Sequence, residues 1–174
     1  MSVVIRPSTP NDAKAIYDIN RLTWLETYPN EDFNITYADV SSVFSLQSRV
    51  ADIENITNYT GCKETYCSMV AEVDSKIVGY AFALKDITKN TLKSLYILPE
   101  QQGRGLGSAL LSSMDSWFTS TNNTYLTVAK YNVPAIKFYE KNKFKVTDNP
   151  IKPSAVAKLP TGKVIPEVEM VKYA

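Results

Sequence analysis

Gln102-Gly103-Arg104-Gly105-Leu106-Gly107-Ser108 is the stretch of this chain whose residue types and spacing suit chemistry best. A strand-like run ends at Pro99, three glycines follow at alternate positions, and an apolar-periodic helix opens at once. Glycine adopts positive φ freely and lets a backbone approach a ligand closely. The free N–H groups at a helix start attract anions, the helix dipole adds to this, and Arg104 contributes a positive charge. Such a turn suits a phosphate or a pyrophosphate. With no backbone role, each glycine would cost about 1 kcal/mol relative to alanine. A P-loop ends in Gly-Lys-Ser/Thr, whereas this turn ends in Gly107-Ser108-Ala109. A dinucleotide fold places Gly-x-Gly-x-x-Gly directly after its first strand; here the third glycine falls one place early and the strand comes late in the chain.

A second constellation lies downstream, in Val128–Phe144. Read alone, Asn132 is an N-cap for a helix starting at Pro134, and its amide offers both a donor and an acceptor. Read alone, Tyr139 is a core aromatic beside Ile136 and Phe138, or a phenol able to protonate a leaving group. Gln102-x-x-Gly105-x-Gly107 and the Asn132-to-Tyr139 segment together resemble the coenzyme A site of the GNAT superfamily. The resemblance is specific from Leu95 to Phe144 and loose elsewhere. It implies that the backbone N–H groups of Gln102, Gly103, Arg104, Gly105, Leu106, Gly107 and Ser108 hold the pyrophosphate. Leu95, Tyr96 and Ile97 would pair with the pantetheine amides as an added strand. Asn132 would contact the same arm, and Tyr139 would lie beside the thioester sulfur. Acetyl-CoA is then the co-substrate, with no metal, and the expected function is direct acetyl transfer to a primary amine of a small molecule, polyamine-like or other, or of a peptide. A non-catalytic acyl-CoA sensor is the alternative.

Two departures stand out. Relatives usually carry glycine where this chain has Lys143; Asn142 tolerates the left-handed conformation, so the helix is expected to end one residue earlier. Many relatives also place a glutamate at the position of Thr127 or near Lys93, and neither is acidic here. The acceptor amine must lose its proton by another route. The candidate carboxylates are Glu26, which is preferred, with Glu31, Glu167 and Glu169 behind it. Trp24-Leu25-Glu26-Thr27-Tyr28 is similar to an acceptor-side stretch of bacterial and archaeal relatives, which makes Trp24 and Tyr28 expected cleft walls.

The elements that must position these residues follow from periodicity. Val3–Pro7 opens as a strand, and Thr9-Pro10-Asn11-Asp12 starts a helix. A second helix is expected over Asp39–Asn55, with Val40, Val43, Phe44, Val50 and Ile53 inward. Strands follow at Tyr66–Val73, Ile77–Asp86 and Thr91–Leu98, a helix at Ser108–Thr119, a strand at Thr124–Ala129 and a short helix at Pro134–Asn142. Phe144–Thr147 and Val168–Lys172 close the pattern, separated by an ordered loop over Asn149–Pro166 that is a candidate dimer contact or acceptor lid. This order predicts an α/β fold. With the resemblance it becomes one GNAT-like domain over 1–174, with a mixed, mostly antiparallel sheet of about seven strands flanked by about four helices.

The bulk numbers narrow the function classes. Nineteen basic against eighteen acidic residues leave a net charge of +1, so no charge excess argues for nucleic acid or an anionic membrane. No histidine is present, which removes Ser-His-Asp and Cys-His catalysis and argues against zinc. No apolar run suits a membrane span, and the N-terminus lacks signal-peptide character; the expected location is the cytoplasm. Cys62 and Cys67 are expected as reduced thiols there.

Overall fold

A computed structural model describes residues 2–148 and 157–174. The elements run β1 (Val3–Pro7), α1 (Ala13–Thr27), α2 (Tyr37–Ser41), α3 (Leu46–Asn58), β2 (Tyr66–Val73), β3 (Lys76–Lys85), β4 (Asn90–Ile97), α4 (Leu106–Trp117), β5 (Thr124–Ala129), α5 (Val133–Lys141), β6 (Lys145–Val146), β7 (Ala157–Lys158), β8 (Val164–Ile165) and β9 (Glu167–Lys172). Seven strands form one sheet in the order β1-β2-β3-β4-β5-β9-β6, and β7 and β8 form a separate hairpin. Every pairing in the large sheet is antiparallel except β4 with β5. The expected α/β architecture is therefore what the chain adopts. Among the described residues no helix is long and apolar enough to cross a membrane.

Strand alternation sorts the core into two faces. Cys67, Met69, Ala71 and Val73 of β2 and Ala81 and Ala83 of β3 pack with Leu106, Leu110, Leu111 and Met114 of α4. Val70 and Tyr80 turn the other way, onto Ile16 and Ile19 of α1. In β4 the alternation breaks. Leu92 and Ile97 both belong to the α4 face, an odd spacing that a regular strand cannot give. The pairing with β3 slips there: Ala83 faces Leu92 and Phe82 faces Ser94, so Lys93 is the extra residue of a β-bulge. β4 then meets β5 only at Asn90–Thr124 and Thr91–Tyr125. Beyond Thr91 the two strands part, and the edge of β4 is left open.

Several expectations need correction. The helix foreseen over Asp39–Asn55 is two helices, α2 and α3, which raises the α-helix count to five among the described residues. Thr36 and Asp39 form a capping box, and Ser45 is extended and accepts from the Ser48 N–H at 3.1 Å, so a new helix starts there. Val50 is consequently 73% exposed and not inward. The left-handed position after α5 is taken by Lys143 itself (φ 71°), not by Asn142 (φ −96°). The long loop contains the β7–β8 hairpin, while its part at 149–156 lies outside the described residues. Cys62 and Cys67 are joined as a disulfide and are not free thiols. Gly61 (φ 73°) turns the chain, and the Ser68 N–H donates to the Gly61 carbonyl at 2.9 Å. This doubling back sets the two cysteines opposite each other in an antiparallel bridge.

Gly79 of β3 sets how closely the bulged strand can sit. A β-carbon there would collide with the Ile97 side chain and stand 2.9 Å from the Tyr96 carbonyl oxygen. Gly79→Ala should therefore destabilise the fold by about 1–3 kcal/mol through overpacking. The check is the urea unfolding midpoint, which should fall with an unchanged m-value.

Candidate active site

The parting of β4 and β5 opens a cleft of about 720 Å³, within the usual size range of small-molecule sites. One end is the glycine turn. Gly103 (φ 75°) and Gly105 (φ 80°) both adopt the left-handed conformation that favours glycine. A β-carbon at either would meet nothing within 4 Å, so the requirement is conformational. Gly107 has a different task, since a β-carbon there would press to 3.4 Å from the Phe138 ring. It lets α4 and α5 approach. Gln102 ties the turn to the strand, its Nε2 donating to the Ile97 carbonyl at 3.1 Å. Gly105 caps α4 without any side-chain acceptor. Among the described residues no protein acceptor meets the N–H groups of residues 103–108; the first satisfied one belongs to Ala109, which donates to Gly105. This row of free donors at the positive end of a twelve-residue helix is the donor set a diphosphate requires. It fits the phosphate end of coenzyme A.

The middle of the cleft is the open edge of β4. Leu95, Tyr96 and Ile97 pair with Ala81, Tyr80 and Gly79 on one side, and their other side borders the cleft. That edge can accept and donate to an extended ligand as a further strand would. Asn132 stands across from it on the α5 side. Its Oδ1 accepts the Ala135 N–H at 3.2 Å, capping α5, so its NH₂ is left without a hydrogen-bond partner among the described residues.

The far end is aromatic. Tyr139 is buried against Phe138 and Phe144 and lines the cleft. Its hydroxyl makes no hydrogen bond among the described residues. Burial, with the neighbouring Tyr96 adding to it, pushes this phenol above its ordinary value of 10.0, so it holds its proton across the physiological range. Tyr96 is raised by burial as well, and its hydroxyl accepts from Trp24 Nε1 at 2.9 Å and bonds the Tyr28 hydroxyl at 3.1 Å. Tyr131 donates to the Tyr28 carbonyl at 2.8 Å and stacks on Phe33 at 5.3 Å between ring centroids. Burial also raises Tyr28 and Tyr131. Behind this wall, Leu25, Ile35, Val40, Leu159 and Ile165 form a cluster that joins α1, α2 and the β7–β8 hairpin. Lys163 of the hairpin binds Asp39 at 2.8 Å and, with Thr36, holds that carboxyl well below the usual carboxylate range.

Most of the residues singled out from the sequence line this cleft, whereas Trp24, Arg104, Glu31, Glu167 and Glu169 are not among its lining residues. Leu95, Tyr96, Ile97, Gln102, Gly103, Gly105, Leu106, Gly107, Ser108, Asn132, Tyr139, Tyr28 and Glu26 all line it. Trp24 does not; it stands behind, orienting the Tyr96 hydroxyl and packing on Tyr28 at 4.8 Å. Arg104 points outward and bonds Gln101 Oε1 at 2.7 Å. Glu26 is exposed at the mouth. Glu167 is half-buried, and burial raises its carboxyl above the ordinary 4.5 despite a 3.4 Å contact from the Thr127 hydroxyl. Thr127 and Lys93 are themselves cleft residues. Glu169 instead accepts from Thr147 at 3.1 Å. Tyr131 and the Tyr96 side chain had no signal in the sequence, because their roles rest on hydrogen bonds across 68 to 103 residues.

Residues 64–146 match the acetyltransferase (GNAT) domain. An uncharacterised N-acetyltransferase of Methanocaldococcus jannaschii is 34% identical over 76 residues, covering 42% of this chain and about half (49%) of that protein's length. An N-alpha-acetyltransferase of Saccharolobus solfataricus is 28% identical over 156 residues, 81% of this chain and 79% of that one. The PaiA N-acetyltransferase of Thermoplasma acidophilum, solved in complex with coenzyme A, superposes with a TM-score of 0.70 at 22% identity over all of both chains. A GCN5-related N-acetyltransferase of Rhodopseudomonas palustris gives 0.72 at 16% identity, covering 100% of this chain and 97% of that one. At such identities the superpositions speak for the fold, while the matched domain spans the glycine turn, Asn132 and Tyr139 together. Residues 64–146, just under half of the chain, are thus similar to the acetyltransferase (GNAT) domain, and the chain shares its fold with solved N-acetyltransferases.

Proposed function

We propose that the whole chain acts as one acetyl-CoA-dependent N-acetyltransferase that passes the acetyl group directly to a primary amine, in the cytoplasm. The observation that carries this reading is the continuity of one cleft. It runs from the free amides of 103–108, along the open edge of β4, to the unbonded Tyr139 hydroxyl. Bound acetyl-CoA supplies an activated acetyl thioester. The amides of 103–108 anchor its diphosphate, and β4 with Asn132 holds the pantetheine arm in line. The β4 edge also offers N–H groups to polarise the thioester carbonyl. The amine nitrogen bonds to the acetyl carbon as the carbon–sulfur bond breaks, and Tyr139 gives its proton to the departing sulfur. The raised pKa of Tyr139 suits an acid that must arrive protonated.

The amine must arrive neutral. A lysine-like amine near 10.4 is neutral in only about one molecule in 2,500 at pH 7, whereas a peptide α-amine near 7.7–8.0 is neutral in roughly one in ten. With Thr127 and Lys93 where relatives have glutamate, the α-amine is the acceptor class this site favours, and the N-alpha-acetyltransferase relatives point the same way. Glu167 takes up the remaining proton through a water near Thr127. Burial makes it a stronger base than an ordinary carboxylate, while Glu26 stands exposed at the mouth, where an incoming ammonium would first be drawn.

A thiol-release assay with acetyl-CoA against peptide N-termini, polyamines, amino acids and aminoglycosides tests the reading. Peptide α-amines should give the highest kcat/KM, and coenzyme binding without release on any amine would instead mark an acyl-CoA sensor. Tyr139→Phe should lower kcat about 100-fold and leave coenzyme affinity within about twofold, since one hydroxyl unused in ground-state binding is lost. In the pH–rate profile, the raised Glu167 predicts an acid limb above the ordinary carboxylate value of 4.5, with activity rising as the group deprotonates. Glu167→Gln should remove that limb and leave the limb of the amine itself.

A further inference from the structure

A second hollow, of about 280 Å³, opens off the glycine-turn end of the cleft. Ser108 and Lys141 line both spaces, so the two are adjacent. The rest of the hollow is framed by Ser112, Lys143 and the pair Asp115–Lys172. That pair is closed on itself at 2.6 Å, which neutralises the one carboxylate present. Lys141 and Lys143 form no salt bridge among the described residues, and the Ser108 hydroxyl has no protein partner there.

The sequence concentrates charge at this corner. Residues 130–145 hold five lysines against one glutamate, although the chain as a whole is only +1. Lys143 also sits where its backbone favours glycine (φ 71°). The turn is fixed by the Lys143 N–H donating to Glu140 at 3.0 Å and the Phe144 N–H to Tyr139 at 3.0 Å. A side chain at such a position is tolerated against conformational preference, and this one places an ammonium in the hollow beside that of Lys141.

A ligand with its diphosphate on residues 103–108 and a further dianion nearby matches this arrangement. Coenzyme A carries such a group, the phosphate on its ribose 3′ oxygen. We propose that the hollow is a subsite for this 3′-phosphate, with Lys141 and Lys143 as its cationic partners and the Ser108 and Ser112 hydroxyls as further donors. The subsite makes the protein select coenzyme A over the same molecule lacking the 3′-phosphate. The proposal rests on the acetyl-CoA reading above.

Titration calorimetry of the full chain with coenzyme A and with 3′-dephospho-coenzyme A tests it. The protein should bind coenzyme A at least about tenfold more tightly, the size expected for charge-assisted hydrogen bonds to a phosphate, and the preference should shrink as salt is raised. Lys141→Met with Lys143→Met should bind both ligands alike, near the wild-type affinity for the dephospho form. Lys143→Gly keeps the left-handed turn unstrained, so it should fold at least as stably while losing part of the preference. Equal binding of the two ligands by the wild-type chain, or an undiminished preference in the double variant, overturns the subsite and leaves the acetyl-CoA reading standing. Failure of the wild-type chain to bind either ligand overturns both.

Discussion

Two register points hold β4 to β5, and the site depends on there being no more. A continued parallel ladder would satisfy the edge of β4 with β5 and close the cleft. Instead the bulge at Lys93 shifts the strand by one residue against β3, and bulges bend the strand that carries them. The freed edge cannot remain an unpaired row of donors and acceptors without water or a ligand. The cleft is thus a place where the fold withholds hydrogen bonds from itself at one strand edge and at one helix start.

The same economy explains the surroundings. The cleft can open because both strands are braced from behind. β4 is sealed to β3 by the close approach at Gly79, and β5 is paired along its whole length with β9. Around the aromatic end, the Tyr28 and Tyr96 hydroxyls are tied to each other and to Trp24, and the Tyr131 hydroxyl to the Tyr28 carbonyl, with Tyr139 left out of the network. A phenol that is buried, unbonded and open to a cleft is unusual in a packed interior, where polar groups are normally paired. Its freedom is what suits it to proton donation. The disulfide at Cys62–Cys67 has no part in this chemistry; it borders the α4-face core at the start of β2.

Much of this was legible residue by residue. The glycine turn announced itself through the φ values it needs, and Gly103 and Gly105 have them. Thr9 and Asp12 marked by their spacing the 3-10 turn at Pro10–Asp12 that leads into α1, and the strands of the central hairpins followed from alternation. The failures had local signals of their own. Thr36-x-x-Asp39 and Ser45-x-x-Ser48 are N-terminal caps, and reading through them fused α2 with α3. The bulge left its trace as well, in the break of alternation between Leu92 and Leu95.

The sequence by itself determined the residues at the two poles of the cleft: a glycine-rich helix start whose free donors suit a phosphate, and an Asn–Tyr pair at the spacing of a single short helix. Both are local, because φ preference, capping and helical periodicity act within a few residues. Only the tertiary structure decided what lies between and beside them. Glu167 came beside Thr127 without lining the cleft, Trp24 fell behind the wall, Arg104 turned to solvent, and Lys141 and Lys143 came with Ser108 to one hollow. Those outcomes depend on which strands pair and which part, and strand pairing joins residues far apart in the chain through contacts that no local pattern encodes.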